Sequence, residues 1–177
     1  MLAAWQQGAA DTTFNAVFGN NRETFYGGGL DVLIGRHLFV DVTASRFARD
    51  GHRAFVSGGK AFDLGQPLTV RETPFEVSAG YRFGSGTVRP YAGGGLGSYA
   101  YTETSSSDVA GEGIDTRHVG VQLLGGVEVR VHRWVGVSVD GTWTRVPGIL
   151  GTGGLSKDAG EDNLGGVAAR LRVIVGR

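Results

Sequence analysis

Cysteine is absent from this 177-residue chain, which excludes a disulfide framework and a thiolate metal site and leaves the compartment open. Lysine is almost absent: Lys60 and Lys157 are its two occurrences, and both fall in expected loops. An excess of charge of either sign is missing too. The formal net charge is zero and the pI is near 6.9, so nothing points to nucleic acid as a partner. No apolar run approaches the ~18 residues of a transmembrane helix. The opening Met1-Leu2-Ala3-Ala4-Trp5 has neither the basic start nor the apolar stretch of a signal peptide, so an exported protein of this sequence is expected to be a mature or trimmed form. No glycine run leads a strand into a helix as a phosphate cradle does. The four histidines, His37, His52, His118 and His132, lack metal-ligand spacing.

What is present is alternation. In Val119-Gly120-Val121-Gln122-Leu123, Val127-Glu128-Val129-Arg130-Val131 and Val135-Gly136-Val137-Ser138-Val139-Asp140, every second residue is aliphatic. Such period-two patterning makes strands with unlike environments on their two sides. A soluble barrel hides the apolar face, whereas a membrane barrel turns it to lipid and hides the polar one. The polar face decides between them. It carries few of the long solvated side chains of a water-facing surface; it combines glycines with Asp31, Asp41, Glu76, Glu128 and Asp140 against Arg82, Arg130, Arg170 and Arg172. Small residues and balanced charges suit the inside of a narrow closed barrel, where buried charge is tolerated only when paired. Lipid then faces Val77, Tyr81, Val121, Val127, Val137 and Val173. A mean hydropathy of −0.05 is compatible with this, because a barrel shows lipid only every second residue. The 32 glycines far exceed the usual share of about 7% and fall inside strands and at turns, where they relieve crowding.

The length suits one domain, 1–177. Eight strands are expected at about 2–8, 24–34, 38–47, 68–83, 88–102, 114–131, 134–146 and 163–176, the first of them weak. Polar segments 11–23, 48–67, 103–113 and 147–162 read as long loops, with a short extension of the sheet near 54–56. Gly35-Arg36-His37, Gly84-Ser85-Gly86 and His132-Arg133 read as tight turns. Long and short connections therefore alternate, as in an all-β, eight-stranded antiparallel up-and-down transmembrane barrel with four long loops on one rim and short turns on the other. The faces of the fifth strand stay open, because Tyr91, Tyr99 and Tyr101 compete with Ala92, Leu96 and Ala100 for the apolar side. Trp134 and Trp143 with Tyr26, Tyr81 and Phe83 are candidates for interfacial girdles.

The segments Pro74-Phe75-Glu76-Val77-Ser78-Ala79-Gly80-Tyr81-Arg82-Phe83 and Arg89-Pro90-Tyr91-Ala92-Gly93-Gly94-Gly95-Leu96-Gly97 resemble a strand end and the following strand start of the small outer-membrane β-barrel superfamily, which includes the OmpA-, OmpX- and OmpW-like proteins and opacity-type surface proteins. With the loop rhythm, the resemblance covers nearly the whole chain. It departs at the end: the family usually closes its last strand on an aromatic residue, and this chain ends Val173-Ile174-Val175-Gly176-Arg177. The resemblance implies an outer-membrane location and a role in envelope integrity, adhesion or small-molecule passage, without saying which; the expectation adopted is a structural, adhesion or surface-interaction role without catalysis. It implies contact with outer-membrane lipid and lipopolysaccharide, and with other envelope proteins or host and surface ligands through the loops. No cofactor is implied.

Three other readings stand beside it. An OmpW-like conduit for small apolar molecules needs apolar lumen residues near the loop rim, for which Phe25, Leu33 and Phe39 are the candidates. A soluble lipocalin-like barrel needs Val121, Val127, Val137 and Val173 inside and Arg130 and Arg172 in water. A lipid-modifying enzyme would pair His118 with Ser105, Ser106 or Ser107, although no nucleophile signature surrounds those serines. The acidic loop 156–163 offers oxygen ligands without the fixed spacing of a calcium loop.

Overall fold

The computed structural model describes residues 1–57, 60–84, 86–105, 114–149 and 160–176. Its strands are β1 (Leu2–Gly8), β2 (Arg22–Ile34), β3 (Leu38–Ser57), β4 (Lys60–Arg82), β5 (Val88–Ser105), β6 (Ile114–His132), β7 (Val135–Arg145) and β8 (Gly166–Val175), with one helix, α1 (Asp11–Phe18), between β1 and β2. Each strand pairs antiparallel with the next, and β1 pairs with β8 from Leu2↔Arg172 to Gly8↔Gly166. The sheet thus closes into an eight-stranded barrel.

The alternation resolves into an outside and an inside. Outward, Val77, Tyr81, Val121, Val127 and Val173 are exposed and Val137 is half-buried. Trp5, Tyr26, Phe75 and Trp143 stand at one margin of this apolar band, and Tyr81, Phe83 and Trp134 at the other, all exposed. Apolar exposure on this scale around a whole molecule marks contact with an apolar medium. The same parity turns Arg130 and Arg172 inward, which overturns the soluble-barrel reading.

On β5 the tyrosines take the inside: Tyr91, Tyr99 and Tyr101 are buried while Ala92 and Leu96 are exposed. Glycine makes room for them. A Cβ on Gly97 would stand 2.7 Å from the Tyr99 ring, and one on Gly80 would stand 2.6 Å from the ring of Phe39, so side chains at these positions would displace the rings that fill the lumen.

Two expected loops are structured. The segment 11–23 contains α1, whose Phe14 and Phe18 sit one turn apart with ring centroids at 5.6 Å. Its N-terminus has no side-chain cap of its own at Ala10; the Thr12 amide donates to Glu161 Oε1 from the last long connection at 2.7 Å instead. The segment 48–67 is the far half of the β3–β4 hairpin, paired out to Ser57↔Lys60 across an irregularity between His52 and Ala54. Lys60 therefore begins a strand. With 20 and 23 residues, β3 and β4 exceed the ~9–11 that cross a bilayer, so this hairpin projects well above the lipid-facing band.

Candidate functional site

The lumen has two unlike halves. Toward the short turns it is polar. Every residue of the expected charge set lies inside it, joined into two chains. In the first, Arg82 bridges Asp31 and Glu128, with Nη1 at 3.3 Å from Glu128 Oε2, and Arg130 Nε lies 2.7 Å from Glu128 Oε1. In the second, Arg170 links Glu76 (3.2 Å) to Asp140 (2.7 Å), and Arg172 links Asp140 (3.1 Å) to Asp41 (3.3 Å).

Tyrosine and threonine hydroxyls occupy further lone pairs. Tyr91 donates to Asp140 Oδ2 at 2.8 Å and accepts from Arg172 Nη2 at 2.8 Å. Tyr99 donates to Glu76 Oε1 at 2.8 Å, and Thr43 to Asp41 Oδ2 at 2.9 Å. Glu128 and Asp140 are 0% and 2% exposed. Carboxylates so deep are sustained by hydrogen bonds and counter-charge together. Phe39 packs here too, under the Arg82 guanidinium at 5.5 Å and edge-on to Tyr91. The space among Phe39, Tyr91, Glu128 and Ser138 admits no water-sized sphere. Below it, a recess of about 430 Å³ opens at the short-turn end, lined in part by Asp31, Asp41, Arg82, Arg130 and Arg172.

Toward the long connections the lumen is apolar. Ala4, Phe25, Phe47, Leu68, Val70, Tyr99, Tyr101, Val146 and Leu164 form one buried cluster, and Phe14 of α1 inserts into it from above. Arg49 clamps the helix C-terminus: Nη2 donates to Phe18 O at 3.1 Å, Nη1 donates to Asn20 Oδ1 at 2.8 Å, and the guanidinium lies 5.0 Å from the Phe18 ring. A cation on the last carbonyls of a helix is favourably placed against its dipole.

Inside this chamber, above the ring of Trp5, Tyr26, Phe75 and Trp143, sit two carboxyls that the charge pattern did not single out. Glu23 is 1% exposed and neither of its oxygens has a hydrogen-bond partner; Glu72 is 3% exposed and its Oε1 has none. Burial pushes the Glu72 carboxyl up to about 8. Glu23 is raised well above the usual carboxylate range by burial first and by Glu72 second, with Arg49 opposing. Both are held as neutral acids at moderate pH. Strand parity could have found them, since Glu72 shares a face with Glu76 and Glu23 shares one with Phe25.

The remaining candidates scatter. Phe25 lies in the apolar chamber, but Phe39 and Leu33 belong to the short-turn half, so the trio proposed for a loop-rim conduit does not assemble. His118 Nδ1 faces Thr116 Oγ1 at 3.3 Å. Ser106, Ser107 and the Ser105 side chain lie outside the described residues, as do Lys157 and the first part of the acidic loop. In the described part of that loop, Glu161 serves α1, and Asn163 Oδ1 accepts the Val146 amide at 2.7 Å. Among the described residues no group of three or more metal-ligating side chains gathers.

A family model for the outer membrane protein beta-barrel domain matches residues 4–168. Among solved structures, the crystal structure of Neisserial surface protein A is similar, with a TM-score of 0.57 at 15% identity over 97% of this chain and 90% of that one. At that identity the likeness is one of fold. A comparison with curated protein sequences finds no match.

Proposed function

Because the chain belongs to the outer membrane protein β-barrel family, we propose that it acts in the outer membrane as a structural and surface-interaction protein whose lumen is shut by the Arg–carboxylate network. The single observation that carries this reading is the joining of Asp31, Asp41, Glu76, Arg82, Glu128, Arg130, Asp140, Arg170 and Arg172 into two ion-paired chains across the barrel. An eight-stranded barrel has an interior just wide enough for side chains, and here these side chains fill it. The mechanism is physical: the outward band buries in lipid, the inward pairs brace the strands against one another, and the long connections meet whatever lies outside. Lipid, other envelope proteins and surface ligands are the partners this arrangement suits. It calls for no catalytic step and no cofactor.

Conductance across planar lipid bilayers tests it. The intact barrel is expected to give no stable current steps at neutral pH, while Arg170→Ala, which takes the arginine from Glu76 and leaves Asp140 with Arg172, is expected to give flickering leak. Stable, porin-like steps from the intact barrel would contradict the closed lumen.

A second reading, entry of small apolar molecules at the loop rim, is supported by the apolar chamber under α1. It expects a fluorescent apolar probe to bind more tightly once Phe14→Ala loosens the helix.

A further inference from the structure

The four arginines of the luminal network are ion-paired; three on the outside of the barrel are not. Above the apolar band, on the rim of the long connections, Arg46, Arg71 and Arg117 point outward and are exposed, and none of them meets a carboxylate within ion-pair distance among the described residues. The register brings them to one face. Phe47↔Glu72 and Ala44↔Phe75 set Arg46 beside Thr73; Thr73 pairs with Ala100 and Ala100 with Arg117. Arg46 and Arg117 thus flank two small residues in one cross-strand row, which continues past Arg46 to Tyr26. They stand about 14 Å apart at the usual strand spacing. Arg71 lies one row higher, between Ala48 and Thr102, at a diagonal of roughly 8 Å from Arg46. The result is a shallow floor of Ala48, Thr73, Ala100 and Thr102 framed by three guanidinium groups. Asp115, in Arg71's row beyond Thr102, is the one acid on this described stretch of β6, and it forms no ion pair with any of the three arginines.

Directly below, the same strands present Phe75, Val77, Leu96, Val119 and Val121, all exposed. An occupant must therefore be apolar below and anionic above. Water can hydrate the guanidinium groups but does not match the apolar surface below them, and a soluble anion satisfies only the second demand.

We propose that Arg46, Arg71 and Arg117 form a docking site for the phosphorylated headgroup of an outer-leaflet glycolipid, with its acyl chains lying on the Phe75–Val77–Leu96–Val119 surface. This rests on the outer-membrane reading above and deepens it by naming a lipid and a face. Guanidinium groups are well matched to such a headgroup, because they hold phosphate through paired N–H donors, and positive charge at a membrane surface attracts anionic lipid over about a Debye length.

The test uses the whole barrel folded in dodecyl maltoside micelles and titrated with bisphosphorylated lipid A, its dephosphorylated form and inorganic pyrophosphate. Failure to fold without detergent confirms the membrane setting separately, before any lipid is added. The site predicts binding of lipid A that weakens with salt, little binding of the dephosphorylated lipid, and little competition from pyrophosphate. R46Q/R71Q/R117Q should weaken lipid A binding by about tenfold or more, a loss of about 1.4 kcal/mol or above; R36Q/R133Q, at the short-turn rim, should leave it unchanged. Equal binding by the triple variant, equal binding of the dephosphorylated lipid, or full displacement by pyrophosphate would each overturn the proposal. The two ligand comparisons need only the unaltered protein, so they decide the matter even if the triple variant fails to fold.

Discussion

The two halves of the lumen solve the same problem in opposite ways. Toward the short turns, charge is buried with its partners: Asp140 at 2% exposure touches Arg170, Arg172 and the Tyr91 hydroxyl. Toward the long connections, Glu23 and Glu72 are as deeply buried and have oxygens that meet no partner. Paired charge is rigid and costly to break from one side only, whereas an unpaired acid survives by keeping its proton. The lower half is thus held by ion pairs, and the upper half carries a pH-dependent weakness.

Breaking the lower half should have the largest effect. Asp140→Ala leaves two arginines facing each other without their shared carboxylate and is expected to cost about 3–5 kcal/mol, read as a lower urea midpoint for unfolding from lipid bilayers. Next comes the plug. Phe14→Ala removes the ring that α1 inserts into the chamber, and burial of such a ring is worth about 3 kcal/mol. Because the helix caps only the mouth, the loss should appear as faster proteolysis within 9–21, with the barrel's heat-modifiable mobility unchanged.

The pH response of the upper half is smaller and has a definite sign. In the unfolded chain Glu72 releases its proton near 4.5, and in the barrel it keeps it to about 8. Between those values the folded state binds more protons than the unfolded one, so stability falls as pH rises and levels off above about 8. Unfolding midpoints measured from pH 5 to pH 9 should show that decline, and Glu72→Gln should reduce it, with Glu23 supplying what remains, gaining about 1 kcal/mol at the alkaline end. A pH-independent midpoint in the unaltered protein would dissolve the contrast between the halves.

How much of this was legible beforehand follows the same divide. The inward set from Asp31 to Arg172 and the outward valines could be read because period two separates them cleanly on the membrane-level parts of β2, β3 and β4 and on β6, β7 and β8. On β5 the signal failed. Its inward face carries both the largest residues, Tyr91, Tyr99 and Tyr101, and the glycines that admit them, so neither face looked apolar. Helix α1 was hidden for another reason. Eight residues without a side-chain cap do not hold a helix by propensity; packing of Phe14 and Phe18, the Arg49 clamp and Glu161 from a distant loop hold it, and none of these is local. The far half of the β3–β4 hairpin was read as loop because Arg49, Asp50, Gly51 and His52 interrupt the alternation where the hairpin leaves the membrane.

Everything rests on which face of the sheet meets lipid, and the absence of cysteine makes that directly measurable. A single Val121→Cys, labelled with a polarity-sensitive dye in bilayers containing lipids brominated in mid-chain, should emit in the blue and be strongly quenched. A label at Val121 that is shielded from the brominated chains and packed inside a water-soluble barrel would contradict the account.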